Sequence, residues 1–368
     1  MSPQPPGSFP PPGCRPLAET GHRGGATSGT ARETECGRPQ PAPPATGASE
    51  GLIRRTSGDG SFSLWCPRTG EAFHSADGAL AEAQRVFVAP AELHRFLSGT
   101  RLRVVEVAVG TGTNTAALIQ ACTTLGLELD WWGLEREQAP LQLALADNGF
   151  RAQWAPRTLA ELQRLVLSGR LLWGDARHHL PDLLETPPDP GSAGQGGPGR
   201  REPLAGRCDL VLLDAFSPQR CPALWSVEFL GRLGQLLAPG GRLLTYSSAA
   251  AIRHALELCG LQLAAIRSAP DAPDGHWSAG TVAGPDLRPE GFQLRALSAM
   301  EREHLASRAG EPYRDPSGKG STEAILAERQ RRQQSSDAEP SSAWQRRWGT
   351  ARRHRAGGSE GGTATEAR

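Results

Sequence analysis

Apolar residues recur along the middle of the chain in two alternating patterns. Short apolar runs between turn residues predict buried strands, whereas apolar residues that return every three or four positions predict helices. The predicted strands are 101–109, 127–134, 171–173, 209–213 and 242–246. The predicted helices are 115–125, 159–168, 224–237 and 249–259. This alternation predicts an α/β domain with a mostly parallel, doubly wound sheet and helices on both faces.

Three stretches lack this periodicity and are rich in Pro, Gly and small polar residues. We expect residues 1–55 to form a disordered N-terminal extension, 186–201 a flexible insertion and 349–368 a disordered tail. Between the two ends we predict an α/β domain over 56–300 and a helical extension over 301–348. The fold prediction is therefore one α/β domain with a helical extension and disordered termini.

Composition excludes several classes of protein. The chain has 368 residues, of which 38% are hydrophobic, and a net charge of +1, so contact with nucleic acid requires a local basic patch. The seven cysteines form no C-x-x-C motif, which argues against a disulfide framework or a zinc site. Neither a transmembrane run nor a hydrophobic signal core is visible. We expect a cytoplasmic protein with no metal and no membrane contact.

The strongest local motif is a glycine turn between the first predicted strand and the helix after it. It contains Glu106, Gly110, Gly112 and Asn114. Glycines let the backbone approach a ligand, and a helix N-terminus presents free N–H groups. Glu135 follows the next strand, where an acid can accept hydrogen bonds from ribose hydroxyls. These five residues are the predicted core of a nucleotide site.

The details of the turn favour one nucleotide over another. The dinucleotide fingerprint requires a third glycine where this chain has Thr115, so NAD fits poorly. The pattern resembles that of S-adenosylmethionine-dependent methyltransferases, although Ala108 stands where that class usually has its first loop glycine. Asp175 follows strand 171–173, where such enzymes place an acid near the adenine amino group. The alternative for Asp175 is a helix N-cap.

Asp214 is the predicted catalytic residue. It follows the apolar run 209–213, and open α/β sheets bind ligands at the carboxyl ends of their strands. A charge directly after a buried strand requires a partner or a function. Asp214 could hold a nucleophile or accept its proton. The structural alternative is an Asx-turn ahead of Pro218.

Longer motifs resemble a single family. The segment 214–225 reads Asp-Ala-Phe-Ser-Pro-x-x-x-Pro-x-x-Trp. It resembles the methyltransferase domain of the bifunctional tRNA 5-methylaminomethyl-2-thiouridine biosynthesis protein. Further matching segments are 59–64, 70–75, 78–82 and 244–253, and 301–305, 312–316 and 344–348 look like a stand-alone version of that domain. The resemblance therefore spans about 59–348.

The resemblance implies a fold and a reaction. The fold would be the Rossmann-like class I S-adenosylmethionine-dependent methyltransferase fold, with S-adenosyl-L-methionine as the cofactor. The reaction would be N-methylation of a 5-aminomethyl group on the wobble uridine of tRNA, so the partner would be the anticodon region. The bifunctional relatives also carry an FAD-dependent oxidase domain. Nothing after Trp348 resembles it, so we expect no oxidase activity.

Four residues are candidates for substrate contact: His74, Ser75, Phe216 and Tyr246. His74 and Ser75 lie in a matching segment ahead of the main sheet, where they could close over a ligand or serve the structure. Tyr246 ends a predicted strand and could equally be a core residue. Phe216 offers a flat face for a splayed base, which enzymes that modify RNA need. Trp225 offers one too, but we predict that it lies in the core.

A basic stretch near the C-terminus is a second candidate contact with RNA. Its arginines could bind the tRNA backbone, or they could line a solvated helix face. The tryptophans among them indicate that part of the stretch packs against the domain. The residues are Arg329, Arg331, Arg332, Arg346 and Arg347, with Trp344 and Trp348.

Three other interpretations stay open at this point. An aminopropyltransferase shares the predicted sheet but needs acids beyond Asp214, and the sequence shows no such cluster. A methyltransferase could instead act on another RNA, on protein or on a small molecule. A non-catalytic RNA-binding relative is the third possibility, because Ala108 departs from the usual glycine turn.

Overall fold

The computed structural model describes residues 51–185, 202–268, 278–289 and 293–350. The predicted disorder of most of the N-terminal extension, of the insertion and of nearly all of the tail lies outside the described residues. Inside them, secondary structure begins at Ile53.

A small antiparallel sheet opens the described chain. Its strands are β1 (Ile53–Thr56), β2 (Phe62–Cys66) and β3 (Glu71–Ala72), in the order β1-β2-β3. The prediction of disorder up to residue 55 is therefore wrong for its last residues, because β1 pairs with β2. Phe62 and Leu64 of β2 are buried in the core of the domain, which attaches this sheet to the rest of the fold.

The main sheet contains eight strands among the described residues. They are β4 (Arg101–Val107), β5 (Glu128–Glu135), β6 (Leu171–Trp173), β7 (Cys208–Leu213), β8 (Leu237–Thr245), β9 (Gln262–Ile266), β10 (Gly280–Gly284) and β11 (Leu294–Arg295). Their spatial order is β11-β9-β10-β8-β7-β4-β5-β6. All pairs among β4 to β8 are parallel, and the pairs that involve β9, β10 or β11 are antiparallel. The predicted α/β class with a mostly parallel sheet is confirmed.

Helices connect these strands. They are α1 (Ala79–Glu82), α2 (Thr113–Leu125), α3 (Ala139–Ala146), α4 (Asn148–Ala152), α5 (Pro156–Leu167), α6 (Ala176–Leu184), α7 (Val227–Leu236), α8 (Ala250–Leu258), α9 (Ala299–Ala306), α10 (Thr322–Ser335) and α11 (Ser341–Arg347). A π-helical turn, Ala83–Val88, continues α1. Short 3-10 turns cover Ala89–Ala91, Leu93–Arg95, Pro222–Trp225 and Arg308–Gly310.

Both faces of the main sheet are covered by helices. Val104 and Val105 of β4 are fully buried, yet they belong to different hydrophobic clusters, because alternate side chains of a strand point to opposite faces. Helices α2 and α5 pack in one cluster, and α6, α7 and α8 pack in the other. The nearly continuous apolar sequence of β7 follows from its position as a central parallel strand buried on both sides.

The predicted helix 224–237 is shorter than expected. Helix α7 begins only after Ser226, whose side chain accepts a hydrogen bond from the Phe229 N–H and caps the helix. Strand β8 follows α7 directly, so the Pro-Gly-Gly residues 239–241 lie inside a strand. The register against β7 shifts in this part of β8, as expected where an irregularity accommodates glycine and proline in a strand.

The predicted helical extension forms α9, α10 and α11, which pack against the sheet domain. Helix α9 starts with a capping box between Ser298 and Glu301. Glu301 is 1% exposed and accepts hydrogen bonds from Arg253 of α8 at 2.9 Å and from Arg295 at 2.6 Å. Ile325 of α10 is buried in the same cluster as α7. The C-terminal helices thus share the core of the domain.

Candidate active site

A cavity of about 1070 Å³ lies beyond the carboxyl ends of β4, β5 and β7. Strands β5 and β7 flank β4 on opposite sides, so the cavity lies at the topological switch point where open α/β sheets bind ligands. Its walls come from the loops after these strands, the segment between β3 and α1, and the start of α10. Small-molecule pockets span roughly 300–1,000 Å³, so this one has room for a nucleotide cofactor and a second ligand.

The turn after β4 has a left-handed backbone at three positions. Ala108 has a φ of 62°, Gly110 of 58° and Gly112 of 78°. A Cβ on Gly110 would lie 3.2 Å from Cδ1 of Phe73, and one on Gly112 would lie 2.9 Å from Cδ1 of Leu141. Both glycines are therefore required by conformation and by space. Ala108 adopts the same type of conformation with a side chain, which strains it.

Glu135 ends β5 and lines the cavity. Its Oε2 accepts a hydrogen bond from the Gly110 N–H at 2.8 Å, and its Oε1 accepts one from the Glu137 N–H at 2.9 Å. Burial raises the pKa of this carboxyl, although these backbone bonds oppose the rise. Each carboxylate oxygen has further lone pairs, so this geometry leaves room for ribose hydroxyls, and contact of Glu135 with the cofactor stays a prediction.

Asp175 lines the cavity and also caps α6. It accepts a hydrogen bond from the Arg177 N–H at 2.9 Å and pairs with the Arg177 guanidinium at 2.7 Å. Burial opposes ionisation, but the bonds from Arg177 outweigh it and lower the pKa of Asp175. The N-cap is thus present, and cofactor contact by the same carboxylate stays a prediction.

Three predicted cofactor residues, Glu106, Gly112 and Asn114, are not among the side chains that line the cavity. Glu106 is completely buried, and its Oε2 accepts hydrogen bonds from Thr115 at 2.6 Å and from Trp131 at 2.8 Å. Burial raises its pKa to about 7. Glu106 thus anchors the first turn of α2 through Thr115, and Asn114 bonds to Asp214, so the structure does not support direct cofactor contact by these three residues.

Asp214 follows β7 and is half-buried in the cavity wall. Its Oδ2 accepts a hydrogen bond from Nδ2 of Asn114 at 2.7 Å. Burial raises the pKa of Asp214 well above its usual range, and the negative charge of Glu82 raises it further. Among the described residues, no arginine, lysine or histidine forms an ion pair with Asp214. It is a cavity carboxylate whose one side-chain partner is neutral.

Glu82 is the principal cavity residue that the sequence did not identify. It ends α1, lines the same cavity as Asp214, and accepts a hydrogen bond from the Ser75 N–H at 2.7 Å. Burial raises its pKa as well. The expectation that no further acid accompanies Asp214 is therefore wrong. The sequence feature that could have identified Glu82 is the segment 78–82, which resembles the family and places Glu82 four residues after Gly78.

The segment 59–64, the first of those that resemble the family, holds α1 in place. The carboxylate of Asp59 accepts a hydrogen bond from the Ala81 N–H at 3.0 Å, and Oγ of Ser61 accepts one from the Ala79 N–H at 2.9 Å. A Cβ on Gly78 would lie 2.0 Å from Cγ of Asp59, so only glycine fits there. Asp59 and Gly78 together position the short helix that carries Glu82.

The four predicted substrate residues all line the cavity: His74, Ser75, Phe216 and Tyr246. The ring nitrogens of His74 lie 3.0 Å from Oγ of Ser63 and 3.3 Å from Oγ1 of Thr111. Burial lowers the pKa of His74 to about 4, so this imidazole is neutral near pH 7. Substrate contact by these residues stays a prediction.

Aromatic and acidic side chains fix the loop that follows Asp214. Tyr246 donates its hydroxyl to the carbonyl of Ala215 at 2.9 Å, and Trp225 donates its indole N–H to the carbonyl of Phe216 at 2.8 Å. Trp225 is fully buried, which confirms the prediction that it is a core residue. Glu71 accepts hydrogen bonds from the N–H and the hydroxyl of Ser217. The loop is thus held at both ends.

Arginines surround the mouth of the cavity. Arg68 and Arg220 are 65% and 53% exposed, and Arg136 is exposed beside Glu135. Arg68 pairs with Glu137, and Arg220 approaches Glu71 to 3.9 Å. These three residues, which we call the rim arginines, present positive charge to solvent next to the cavity.

The C-terminal arginines serve the structure more than the surface. Arg329 donates to the carbonyl of Glu311 at 2.6 Å and lies 4.5 Å from the ring centre of Tyr313. Arg332 pairs with Glu311 at 2.7 Å, and Arg347 pairs with two glutamates. Arg331 is 73% exposed and Arg346 is also exposed, so contact of this stretch with the tRNA backbone stays a prediction.

The two C-terminal tryptophans pack as the sequence indicated. Trp344 is 1% exposed and stacks on the ring of His304 at a centroid distance of 3.9 Å. Trp348 donates its indole N–H to Glu303 at 2.9 Å. The prediction that part of this stretch packs against the domain is confirmed.

The described part of the chain shows neither a metal-binding cluster nor a membrane-spanning helix. Within 51–185, 202–268, 278–289 and 293–350, no group of three or more His, Cys, Asp or Glu side chains is arranged to hold a metal ion. No helix in those same ranges combines the length and the apolar character that crossing a bilayer requires. The described cysteines are free thiols.

Comparison with known sequences adds a family and several relatives. Residues 200–272 match the model of a family described as S-adenosyl-L-methionine-dependent methyltransferase. The tRNA 5-methylaminomethyl-2-thiouridine biosynthesis bifunctional protein MnmC of Cupriavidus necator is 30% identical over 225 residues, which cover 54% of this chain and 30% of that protein. The MnmC protein of Caulobacter vibrioides is 31% identical over 223 residues, 58% of this chain and 35% of that protein. The chain thus spans about a third of the length of these relatives.

A solved structure agrees with the fold. The crystal structure of MNMC2 from Aquifex aeolicus superposes with a TM-score of 0.58 at 23% identity, over 76% of this chain and 83% of that one. This likeness shows the Rossmann-like methyltransferase fold that the sequence predicted. The family match confirms S-adenosyl-L-methionine as the predicted cofactor. The chain therefore contains an S-adenosyl-L-methionine-dependent methyltransferase domain similar to that of the MnmC proteins.

Proposed function

We propose that this chain methylates the 5-aminomethyl group on the wobble uridine of tRNA. The observation that carries the proposal is Asp214, a carboxylate with no cationic partner among the described residues, in a cavity that Gly110 and Glu135 also line. Such a group suits an amine nucleophile better than a neutral carbon or oxygen. The tRNA part is supported by the relatives, whose names describe the biosynthesis of 5-methylaminomethyl-2-thiouridine in tRNA.

The residues of the cavity fit S-adenosylmethionine. The left-handed turn at Gly110 leaves space that a Cβ would fill, and Glu135 has lone pairs for ribose hydroxyls. Asp175 lies after β6 in the same wall and would face the adenine. When bound, the cofactor supplies a methyl group activated by a positively charged sulfur.

Asp214 would prepare the substrate amine. A primary amine has a pKa near about 10 and is mostly protonated at neutral pH, so it must lose a proton before it can attack. The raised pKa of Asp214 makes its carboxylate a suitable acceptor of that proton. Asn114 occupies Oδ2, which leaves Oδ1 for the amine. His74 is neutral near pH 7 and adds no charge that would repel the substrate.

The surroundings of the cavity suit an RNA substrate. A wobble base must leave the anticodon stack to reach the site, and enzymes that act on splayed bases receive them on aromatic side chains. Phe216 and Tyr246 provide such surfaces in the cavity wall. The rim arginines would contact the phosphates on either side of the base.

Methyl transfer from labelled cofactor tests the proposal. The acceptors are tRNA carrying unmethylated 5-aminomethyl uridine, total protein and a polyamine, offered in parallel. We expect label in tRNA, and nucleoside mass spectrometry should locate it in 5-methylaminomethyl uridine. Label confined to protein or to the polyamine, or no transfer at all, would refute the proposed function.

The rim arginines provide a second arm of this test. Arg136→Ala should raise KM for tRNA and leave kcat nearly unchanged. The slope of the logarithm of the tRNA binding constant against the logarithm of salt concentration should fall by about one. The matched control is Arg101→Ala, because Arg101 is 68% exposed at the opposite end of β4. Equal effects of the two substitutions would remove the rim from the tRNA interface.

A further inference from the structure

Of the two carboxylates Glu82 and Asp214, which both line the cavity, the proposed function employs only Asp214. Glu82 lines the same cavity, and its charge acts directly on Asp214. One oxygen of each carboxylate is occupied: Oε2 of Glu82 by the Ser75 N–H and Oδ2 of Asp214 by the Asn114 amide. The second oxygen of each group remains for a ligand.

The charges around this pair do not balance it. Among the described residues, the charged groups besides Asp214 that act most on Glu82 are Arg85 and Asp77, and these two are paired with each other at 3.5 Å. Glu106 adds a further negative charge behind Asp214. Two like charges in one partly buried site repel each other. A positively charged ligand placed between them would relieve that repulsion.

Ser75 provides a second, independent indication of a ligand. Its hydroxyl oxygen is buried and forms no hydrogen bond of good geometry with the described residues, although it lies close enough to Glu82 to lower the pKa of that carboxyl. Ser75 also lines the cavity, and its backbone N–H is the group that binds Glu82. A buried hydroxyl without a partner is costly. A ligand with hydrogen-bonding groups beside Glu82 would supply the missing partner.

We propose that Glu82, Ser75 and Asp214 together bind the amine of the substrate, and that Glu82 selects a cationic amine over a neutral group. This inference rests on the proposed function. The substrate nitrogen arrives as an ammonium and gives one proton to Asp214. Its lone pair then forms the new N–C bond as the methyl–sulfur bond breaks. The methylated nitrogen is again positively charged, and Glu82 stays ionised throughout to hold it.

The arrangement predicts the selectivity of the site. A 5-hydroxymethyl group has nearly the shape of the aminomethyl group but carries no charge, so it gains nothing from the carboxylate. An amine arm that ends in a carboxylate would meet repulsion from Glu82. The site should therefore prefer an unsubstituted aminomethyl group to both.

Binding of two nucleosides tests this inference. The probes are 5-aminomethyluridine and 5-hydroxymethyluridine, titrated by calorimetry into protein saturated with S-adenosylhomocysteine. Wild-type protein should bind the amine at least about tenfold more tightly, as expected for a hydrogen bond to a charged group. Glu82→Gln keeps the shape of the side chain and should abolish most of that preference. The matched control is Glu323→Gln, since Glu323 is an exposed glutamate of the same cavity.

Each outcome decides the inference. Equal binding of both probes by wild-type protein, or an unchanged preference in Glu82→Gln, would overturn it. Loss of S-adenosylhomocysteine binding in both Glu82→Gln and Glu82→Asp would assign Glu82 a structural role and overturn it too. Preference for the amine without methyl transfer to tRNA would refute the proposed function alone. Normal methyl transfer with an unchanged preference in Glu82→Gln would refute this inference alone.

Discussion

Two acidic sites in this molecule, one fully buried and one half-buried, have opposite electrostatic surroundings. Glu301 lies between Arg253 and Arg295, and these cations outweigh the cost of burial and lower its pKa to about 2. Asp214 and Glu82 face the cavity, and burial raises the pKa of both. The same type of group is thus neutralised by the protein in one region and left for a ligand in the other.

The comparison separates structural from functional acids by their partners. Removing one member of a buried ion pair leaves an uncompensated charge, which is strongly destabilising. Removing an unpaired charge from a cavity relieves a cost that the folded protein already bears. Substitutions that replace the carboxylate by an uncharged amide should therefore change the free energy of unfolding in opposite directions at the two sites.

The largest effect on stability is expected for Glu301→Gln. The substitution leaves two buried guanidinium groups without their carboxylate, so the free energy of unfolding should fall by about 3–5 kcal/mol. Denaturant titration measures this fall. Glu257→Gln is the control, because the Glu257–Arg302 pair is exposed and contributes less than about 1 kcal/mol. Equal losses in the two variants would contradict the account of Glu301.

The stability contributed by Glu301 should also depend on pH with a defined sign. Its pKa of about 2 in the folded protein lies below the value of about 4.3 for an unperturbed glutamate. The contribution is therefore present above about pH 4 and is lost as the pH falls towards 2. Glu301→Gln should lack this acid-dependent loss.

Asp214→Asn should give the reverse pattern. Turnover should fall at least about 100-fold, because the variant cannot accept the proton of the amine. The free energy of unfolding should rise by about 0.5–2 kcal/mol, the usual range when a strained functional position is relaxed. Single-turnover methyl transfer and denaturant titration measure the two effects. A loss of stability would place Asp214 with Glu301 as a structural acid.

The pH profile of methyl transfer sharpens the comparison further. The rate should rise with pH as Asp214 ionises, at a pH above the usual range for aspartate because its pKa is raised. Glu82→Gln removes a neighbouring negative charge, so the pKa of Asp214 should fall and the acid limb should move to lower pH. Glu106 and Tyr246, which also face Asp214, are unchanged in this variant. An acid limb that stays in place would show that the two carboxylates do not interact.

The smallest expected effect is at the strained turn of the cavity. Ala108→Gly should raise the free energy of unfolding by about 1 kcal/mol, because only glycine adopts a φ of 62° without a steric cost. Ala327→Gly at an exposed position of α10 should lower it by about 1 kcal/mol. Thermal unfolding of both variants measures these changes. Destabilisation by Ala108→Gly would show that the turn carries no strain.

The sequence predicted those parts of the fold that local periodicity determines. Strand β6 has the predicted bounds, and β4 and α2 differ by two residues at one end. The three antiparallel strands at one end of the sheet, β9 to β11, were missed, because short apolar runs such as β9 do not distinguish strand from helix. The end of the predicted helix 224–237 lies within one residue of the end of α7, whereas its start was placed three residues too early, because Pro222–Trp225 forms a separate 3-10 turn.

The candidate site was predicted where one segment carries the signal and missed where distant segments meet. Gly110, Glu135, Asp175 and Asp214 all line the cavity because each follows a strand at the same edge of the sheet. Glu82 enters the same cavity from α1, which lies outside that sheet. No periodicity in the sequence reports that two such distant segments meet.

A crystal structure with S-adenosylhomocysteine and 5-aminomethyluridine bound would test the central claim most directly. The account predicts the ribose of the cofactor at Glu135 and the substrate nitrogen within hydrogen-bonding distance of both Glu82 and Asp214. A nitrogen that contacts neither carboxylate, or a cofactor bound away from Gly110, would contradict it.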